Sequence, residues 1–253
     1  VVNKKVKIIA HRCGMGRAPE NTLVGCKTAL EDGADAFECD VRLTKDGEPI
    51  VIHTTFGRDD ISKVTDCSVP LCRLTWLDIK QLKVKGTQES IPHLDEILSF
   101  VADHPIECYI EPKEDSSVLI EKILQRVEQW NVPGKIRFIT FFRWRKLLIE
   151  AKKLNPNVRT NVILISPFVD WRQCAYSAQT DIVTPGWKRL NWWRGSRFIT
   201  SRFSRRVKQT HDSGIEVTSG IANEEKDTWW LLEQGVDGIW TDDVVKVKRV
   251  LEM

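Results

Sequence analysis

The apolar positions of the chain fall into short runs and helical stripes that alternate. Lys7 to Ala10 is a β-rich run that ends at His11, and a loop containing Gly and Pro follows. Asn21 is placed to cap a helix whose positions Leu23, Cys26, Ala29 and Leu30 share one face, with Gly33 as its stop. Ala36 to Val41 reads as the next strand, Thr44-Lys45-Asp46-Gly47 as a turn, and Pro49 to His53 as extended again. That connection is too short for a parallel crossover, which takes about a dozen residues or more. Ile50 to His53 is therefore expected to return as a hairpin arm, folding His53 back beside Asp40.

From Thr54 to Pro92 the periodicity is poor, apart from one helix expected near Leu74 to Leu82. This stretch, about 54–92, reads as a small insertion. Leu94 to Val101 is helical in pattern, and a strand–helix alternation then sets in. Strands are predicted at 106–111, 136–141, 161–165, 181–184, 215–219 and 238–241, and helices at 118–130, 144–154, 203–212, 224–234 and 244–251. Without the hairpin arm the strands number eight, which in 253 residues predicts an α/β fold of the (β/α)8 TIM-type barrel class. The hairpin excursion and the insertion follow its second strand. No repeat or linker divides residues 1–253, so a single domain is expected.

Composition changes this picture little. Hydrophobic residues at 42% and charged residues at 29% suit a water-facing globular chain. A net charge of +3 is too small to argue for a nucleic-acid partner, and the basic residues form no long stripe with stacking aromatics. No apolar run approaches the roughly 20 residues of a membrane span, and no signal peptide is visible. The seven cysteines are scattered, without a CxxC pair or zinc spacing. Reduced thiols in the cytoplasm are the expectation, with a Cys67–Cys72 disulfide as the alternative. The chain begins at Val1, which leaves targeting open.

Barrel sites form where the strands end at their C-terminal side. His11 and Arg12 close the first strand. Glu38 and Asp40 stand two apart on the second and so share a face, as do Glu111 and Lys113 on the third. Three carboxylates converging from neighbouring strands make a hard, all-oxygen site, suited to one Mg²⁺ or Ca²⁺ rather than zinc. A salt bridge to Arg12, Lys113 or Arg42 would account for any one acid alone. So many charges in a barrel core need a further reason.

The motifs in order are His11-Arg12, Pro19-Glu20-Asn21-Thr22, Glu38-Cys39-Asp40, Leu43-Thr44-Lys45-Asp46-Gly47, His53, Glu111-Pro112-Lys113 and a closing run from Gly235 to Asp242. As an ordered set this resembles the glycerophosphodiester phosphodiesterases, over nearly the whole chain. The resemblance implies a metal-dependent hydrolase that cleaves a small glycerophosphodiester to sn-glycerol 3-phosphate and an alcohol. By the matching positions it implies Glu38, Asp40 and Glu111 as metal ligands and His11 and His53 as the acid/base pair. Arg12 and Lys113 would bind the phosphate. Three positions depart from the family pattern: Cys13 replaces Gly, Thr54 replaces Asp, and Gly220 stands where Trp is usual, three residues before Asn223.

One stretch stands outside those motifs. Residues 187–198 read WKRLNWWRGSRF, with Trp187, Trp192 and Trp193 among four basic residues. Such a loop either packs on the barrel rim or meets a membrane surface or a lipid-bearing substrate. The second reading makes a lysophospholipid, cleaved in the manner of a lysophospholipase D, the alternative substrate. A barrel that binds phosphodiesters or lipid without cleaving them is a further alternative, opposed by the presence of both histidines and all three acids. His93, His104 and His211 have the setting of surface or packing residues.

Overall fold

The computed structural model describes residues 5–166, 169–186 and 197–253. Its sheet has nine strands: β1 (Lys7–Ala10), β2 (Ala36–Leu43), β3 (Pro49–Val51), β4 (Glu107–Pro112), β5 (Ile136–Phe141), β6 (Arg159–Leu164), β7 (Ile182–Pro185), β8 (Glu216–Ile221) and β9 (Gly238–Thr241). All but β3 pair in parallel, and β1 joins both β9 and β2, so eight strands close on themselves. Helices follow the strands, and the expected TIM-type barrel is the fold found.

β3 is antiparallel, as the short connection requires. Its ladder runs from Val41↔Val51 to Leu43↔Pro49, beyond the stretch where β1 pairs with Ala36 and Phe37. Since β4 holds the other edge of β2 from Ala36 to Val41, β3 takes over the edge that β1 leaves. The Ile52 amide continues the contact by donating to the Asp40 carbonyl at 2.9 Å. Residues after β3 gather a small core of their own around Ile50, Ile52, Ile61, Leu71, Ile79 and Ile91. The helix expected at 74–82 is one short piece, Trp76–Ile79, under a Thr75–Asp78 capping box.

Two apolar layers follow from the alternation of strand residues. Outward-facing Phe37, Cys39, Cys108, Ile110, Phe138 and Val162 pack against the helices. Inward-facing Ile9, Ala36, Tyr109, Ile139, Ile163, Ile182 and Trp240 fill the barrel. Its floor is closed by charge: Lys7 and Arg137 both reach Glu107, and Arg159 reaches Glu216. With the floor filled, access is from the C-terminal strand ends.

Two expectations need correction. The helix Leu23–Asp32 is capped by Thr22, whose hydroxyl accepts from the Gly25 amide. Asn21 adopts φ 56° and sends its side chain to Asp40 instead. The helix Trp171–Ala178 lies outside the elements that the apolar pattern predicts. Its Asp170 cap and its buried stripe of Trp171, Cys174, Ala175 and Ala178 make it, but that stripe is short and built mostly of small residues. The helix expected from Phe203 begins earlier, at Arg197. All seven cysteines are free thiols, including Cys67 and Cys72. Trp187, Trp192 and Trp193 lie outside the described residues. No helix among the described residues is long and apolar enough to cross a membrane.

Candidate active site

His11, Arg12 and Cys13 form one tight turn at the end of β1. Arg12 and Cys13 sit at φ 48° and 58°, a left-handed conformation that costs a side chain of order 1 kcal/mol. Packing holds them there: a Cβ on Gly25 would come within 2.6 Å of the Cys13 carbonyl. So Cys13 adopts the angles that the family's glycine would adopt freely. Its buried thiol lies 2.9 Å from that of Cys26. The turn also aims the Arg12 amide at Glu38 Oε2, 3.0 Å away.

Inside the mouth, Glu38, Asp40 and Glu111 are buried and each offers an oxygen within 4.8 Å of the others. The ladder places them so, since Asp40 stands opposite Glu111 in the β2–β4 register. Lys113, buried, donates to Glu111 Oε2 at 2.7 Å and lies 3.0 Å from Asp40 Oδ1. Asn21 donates to Asp40 Oδ2 at 2.8 Å and receives the Asp40 amide at 3.0 Å. Arg12 Nε stands 3.7 Å from the same carboxylate. Glu38 Oε1 and Glu111 Oε1 are buried and have no hydrogen-bond partner.

Charge follows from that packing. Burial pushes the Glu38 carboxyl well above the usual range, and neighbouring Asp40 and Glu111 push it further. Burial raises Glu111 too, against the pull of Lys113. Asp40 is equally buried, but Lys113, His53 and Arg12 hold it down at about 2. Two buried carboxylates with unpartnered oxygens beside the ionised Asp40 are what a hard cation would relieve. The donor set therefore fits a divalent ion, as expected from the sequence.

The two histidines meet different surroundings. His11 is buried, and its Nδ1 lies 2.7 Å from Asp242 Oδ1 at the end of β9. Asn223 donates to Asp242 Oδ2 at 2.6 Å and accepts the Asp242 amide at 2.8 Å. Burial works against the Asp242 charge, yet the bonds from His11 and Asn223 lower its pKa. His53 Nε2 accepts from the Arg12 guanidinium at 2.8 Å, and Glu20 takes the other arm of Arg12 at 2.8 Å. Burial lowers His53 to about 4; Asp40 opposes this while Arg12 and Lys113 add to it.

All seven residues singled out in the sequence thus converge on one mouth. Glu20, Asn21, Asn223 and Asp242 join them. Glu20 and Asp242 were visible as parts of motifs without an individual role, and Asn21 as a helix cap; for Asp242 the partner is 231 positions away and leaves no local mark. At a second of the three departures, Thr54 accepts from Arg42, a buried guanidinium that also binds Glu114 at 2.9 Å and Asp59 at 2.7 Å. The other histidines have structural partners: His93 caps the helix Leu94–Asp103, His104 meets the Phe100 carbonyl and His211 meets Asp237.

A closed α/β barrel with a buried acid cluster and two histidines at its mouth has the layout of a phosphoric diester hydrolase. Residues 11–246 match the model of the glycerophosphoryl diester phosphodiesterase family, and the chain belongs to that family. It is 26% identical over 250 residues to a glycerophosphodiester phosphodiesterase of Caldanaerobacter subterraneus subsp. tengcongensis, covering 94% of this chain and 95% of that one. It is also 26% identical to the rat lysophospholipase D GDPD1, over 96% of this chain and 85% of the other. Among solved structures, an Oleispira antarctica phosphodiesterase in complex with the product sn-glycerol-3-phosphate superposes with a TM-score of 0.82 at 22% identity, covering 98% and 97% of the chains. A structure from Galdieria sulphuraria, described as a glycerophosphodiester phosphodiesterase, gives 0.82 at 23% identity, covering 98% of each. These two likenesses speak for the fold.

Proposed function

We propose that the protein hydrolyses small glycerophosphodiesters to sn-glycerol 3-phosphate and an alcohol, with a divalent cation held by Glu38, Asp40 and Glu111. The observation that carries this reading is the cluster of Glu38, Asp40 and Glu111, buried within 4.8 Å of one another, with one oxygen each of Glu38 and Glu111 lacking a hydrogen-bond partner. When bound, the cation would neutralise phosphate charge and polarise a nonbridging oxygen.

The remaining work falls to the chain itself. Arg12 and Lys113 bind the phosphate; Arg12 gives up its bond to His53 as it turns to the substrate. Its fork can reach two oxygens at once. His53, neutral at pH 7, takes the proton of the nucleophile, which is either water or the substrate's own glycerol hydroxyl, whose cyclic phosphate water then opens. His11 gives a proton to the leaving alkoxide, and the Asp242 carboxylate, 2.7 Å from its Nδ1, holds the ring in place for that step.

The test is glycerol 3-phosphate release from glycerophosphocholine by metal-stripped protein, then with Mg²⁺ or Ca²⁺ restored. His11→Ala and Glu38→Ala serve as controls. Metal-dependent release lost in both variants is expected. Release unaffected by chelation, or no release from a folded protein with either ion, would sink the reading.

A further inference from the structure

Beside the acid cluster, on the same mouth, lies an apolar pocket of about 340 Å³ at the ends of β5 and β6. Phe141, Phe142, Trp144, Ile163, Ile165 and Val169 are among its walls. β4, which carries Glu111 and leads into Lys113, is the next strand to β5. At about 4.8 Å between strands, the gap between β5 and β6 stands only about 7 Å from β4. The two regions are also joined directly. The Lys113 carbonyl accepts the Gly57 amide at 2.8 Å, and neighbouring Phe56 stacks on Trp144 with ring centroids 3.6 Å apart.

We propose that this pocket takes an unbranched hydrocarbon chain carried by the glycerophosphodiester, an inference that rests on the hydrolase reading above. Its chemistry selects a chain over a cationic head group. A quaternary ammonium needs open aromatic faces or a carboxylate. Trp144 is already covered by Phe56 and by Arg143, whose guanidinium carbon lies 5.1 Å from the ring centre. Phe142 carries Arg145 at 4.6 Å. Among the described lining residues there is no acid, and Arg143 is the charged one. A cation would be repelled where a methylene chain would exchange water for apolar wall. At about 30 Å³ per water-sized group, the pocket has room for roughly ten of them, the scale of a medium chain. The chain could be an acyl group on the glycerol or the alkyl group of the leaving alcohol.

The experiment compares two series below their micellar concentrations, with metal present. One is hexanoyl to decanoyl lysophosphatidylcholine, and the other is hexyl to decyl glycerophosphate diesters. Glycerophosphocholine is the chain-free reference. In one series kcat/KM is expected to rise about tenfold or more from six to ten carbons, which identifies the side that carries the chain. Ile165→Glu places a charge in the wall at a residue 49% exposed, so the fold is undisturbed. It should lower kcat/KM for the ten-carbon substrate at least tenfold and leave glycerophosphocholine within about twofold. Val169→Glu is the second variant, with the same pattern expected. Flat chain dependence in both series, or equal loss on glycerophosphocholine, overturns the pocket. Calorimetric binding of the same compounds to His11→Ala separates the two readings. Chain-dependent affinity lost in Ile165→Glu, with no turnover by the wild type, keeps the pocket and overturns the hydrolase. Turnover of glycerophosphocholine with no chain-dependent affinity does the reverse.

Discussion

His11 and Asp242 stand near opposite ends of the chain, yet Nδ1 and Oδ1 lie 2.7 Å apart. The barrel makes this contact when β1 closes on β9. Asp242→Asn keeps the size of the side chain and removes the charge that His11 Nδ1 meets. It should lower kcat by roughly 10²-fold or more, with KM and thermal stability little changed. Steady-state rates on glycerophosphocholine decide this; a kcat within threefold of wild type would mean that Asp242 does not act through His11.

Gly16 offers a second approach to the same contact. A Cβ at Gly16 would collide with the Asp242 carbonyl oxygen, which is backbone and cannot turn aside. Gly16→Ala should therefore cost about 1–3 kcal/mol of stability and shift Asp242 away from His11. Urea denaturation and kcat measured together should both fall, whereas Asp242→Asn should affect kcat alone.

Cation binding should release protons. Burial raises the Glu38 and Glu111 carboxyls above the usual range, so protons compete with a cation for them more strongly than at an exposed carboxylate. Calorimetric enthalpies of Mg²⁺ or Ca²⁺ binding near neutral pH should differ between buffers of different ionisation heat. Affinity should weaken as the pH falls, and Glu38→Gln should reduce the proton release. Enthalpies independent of buffer, with an affinity unchanged by pH, would contradict this competition.

His53 should give the metal-free protein an acid-side liability. Its folded pKa is about 4, against about 6.5 when unfolded. Above 6.5 both states are neutral and the group adds nothing. Between 6.5 and 4 the unfolded chain binds a proton that the folded one refuses, so stability falls as the pH drops through that window. The slope should be shallower in His53→Asn, as read from urea midpoints between pH 7.5 and 4. Parallel curves would place the His53 pKa near its ordinary value.

Arg42 ties the segment after His53 to the barrel through Thr54, Asp59 and Glu114. Arg42→Ala leaves those partners unmatched and should destabilise by about 2–4 kcal/mol. It should also raise KM, since the Thr54–Asp59 stretch includes Phe56, which stacks beside the mouth. Chemical denaturation and substrate titration test the two effects separately.

Much of the barrel was legible because each strand alternates between a barrel-filling face and a helix-facing one. That alternation alone assigns Glu38, Asp40, Glu111 and Lys113 to the inner face. The hairpin followed from loop length alone. The short helix Trp171–Ala178 was lost because Cys174, Ala175 and Ala178 are weak as an apolar signal. Thr22 displaced Asn21 as the cap because Asp40, distant in sequence, claims the Asn21 side chain. The Asn223–Asp242–His11 chain was hidden for the same reason: its bonds cross the barrel seam, and no local spacing records them.

The takeover of one edge of β2, first by β1 and then by β3, makes that strand a ruler for the chemistry. His11 leaves the ladder just after Ala10, opposite Phe37, and His53 follows Ile52, whose amide is fixed to Asp40. Three residues of one strand, about 10 Å at about 3.3 Å each, set the interval between those exits. Glu38 and Asp40 project from that same interval. Spacing between the histidines is thereby read from a rigid ladder and not from loops. The excursion that follows His53 is free to differ in length and content, and so to reshape what the mouth admits, while the reacting groups keep their distance.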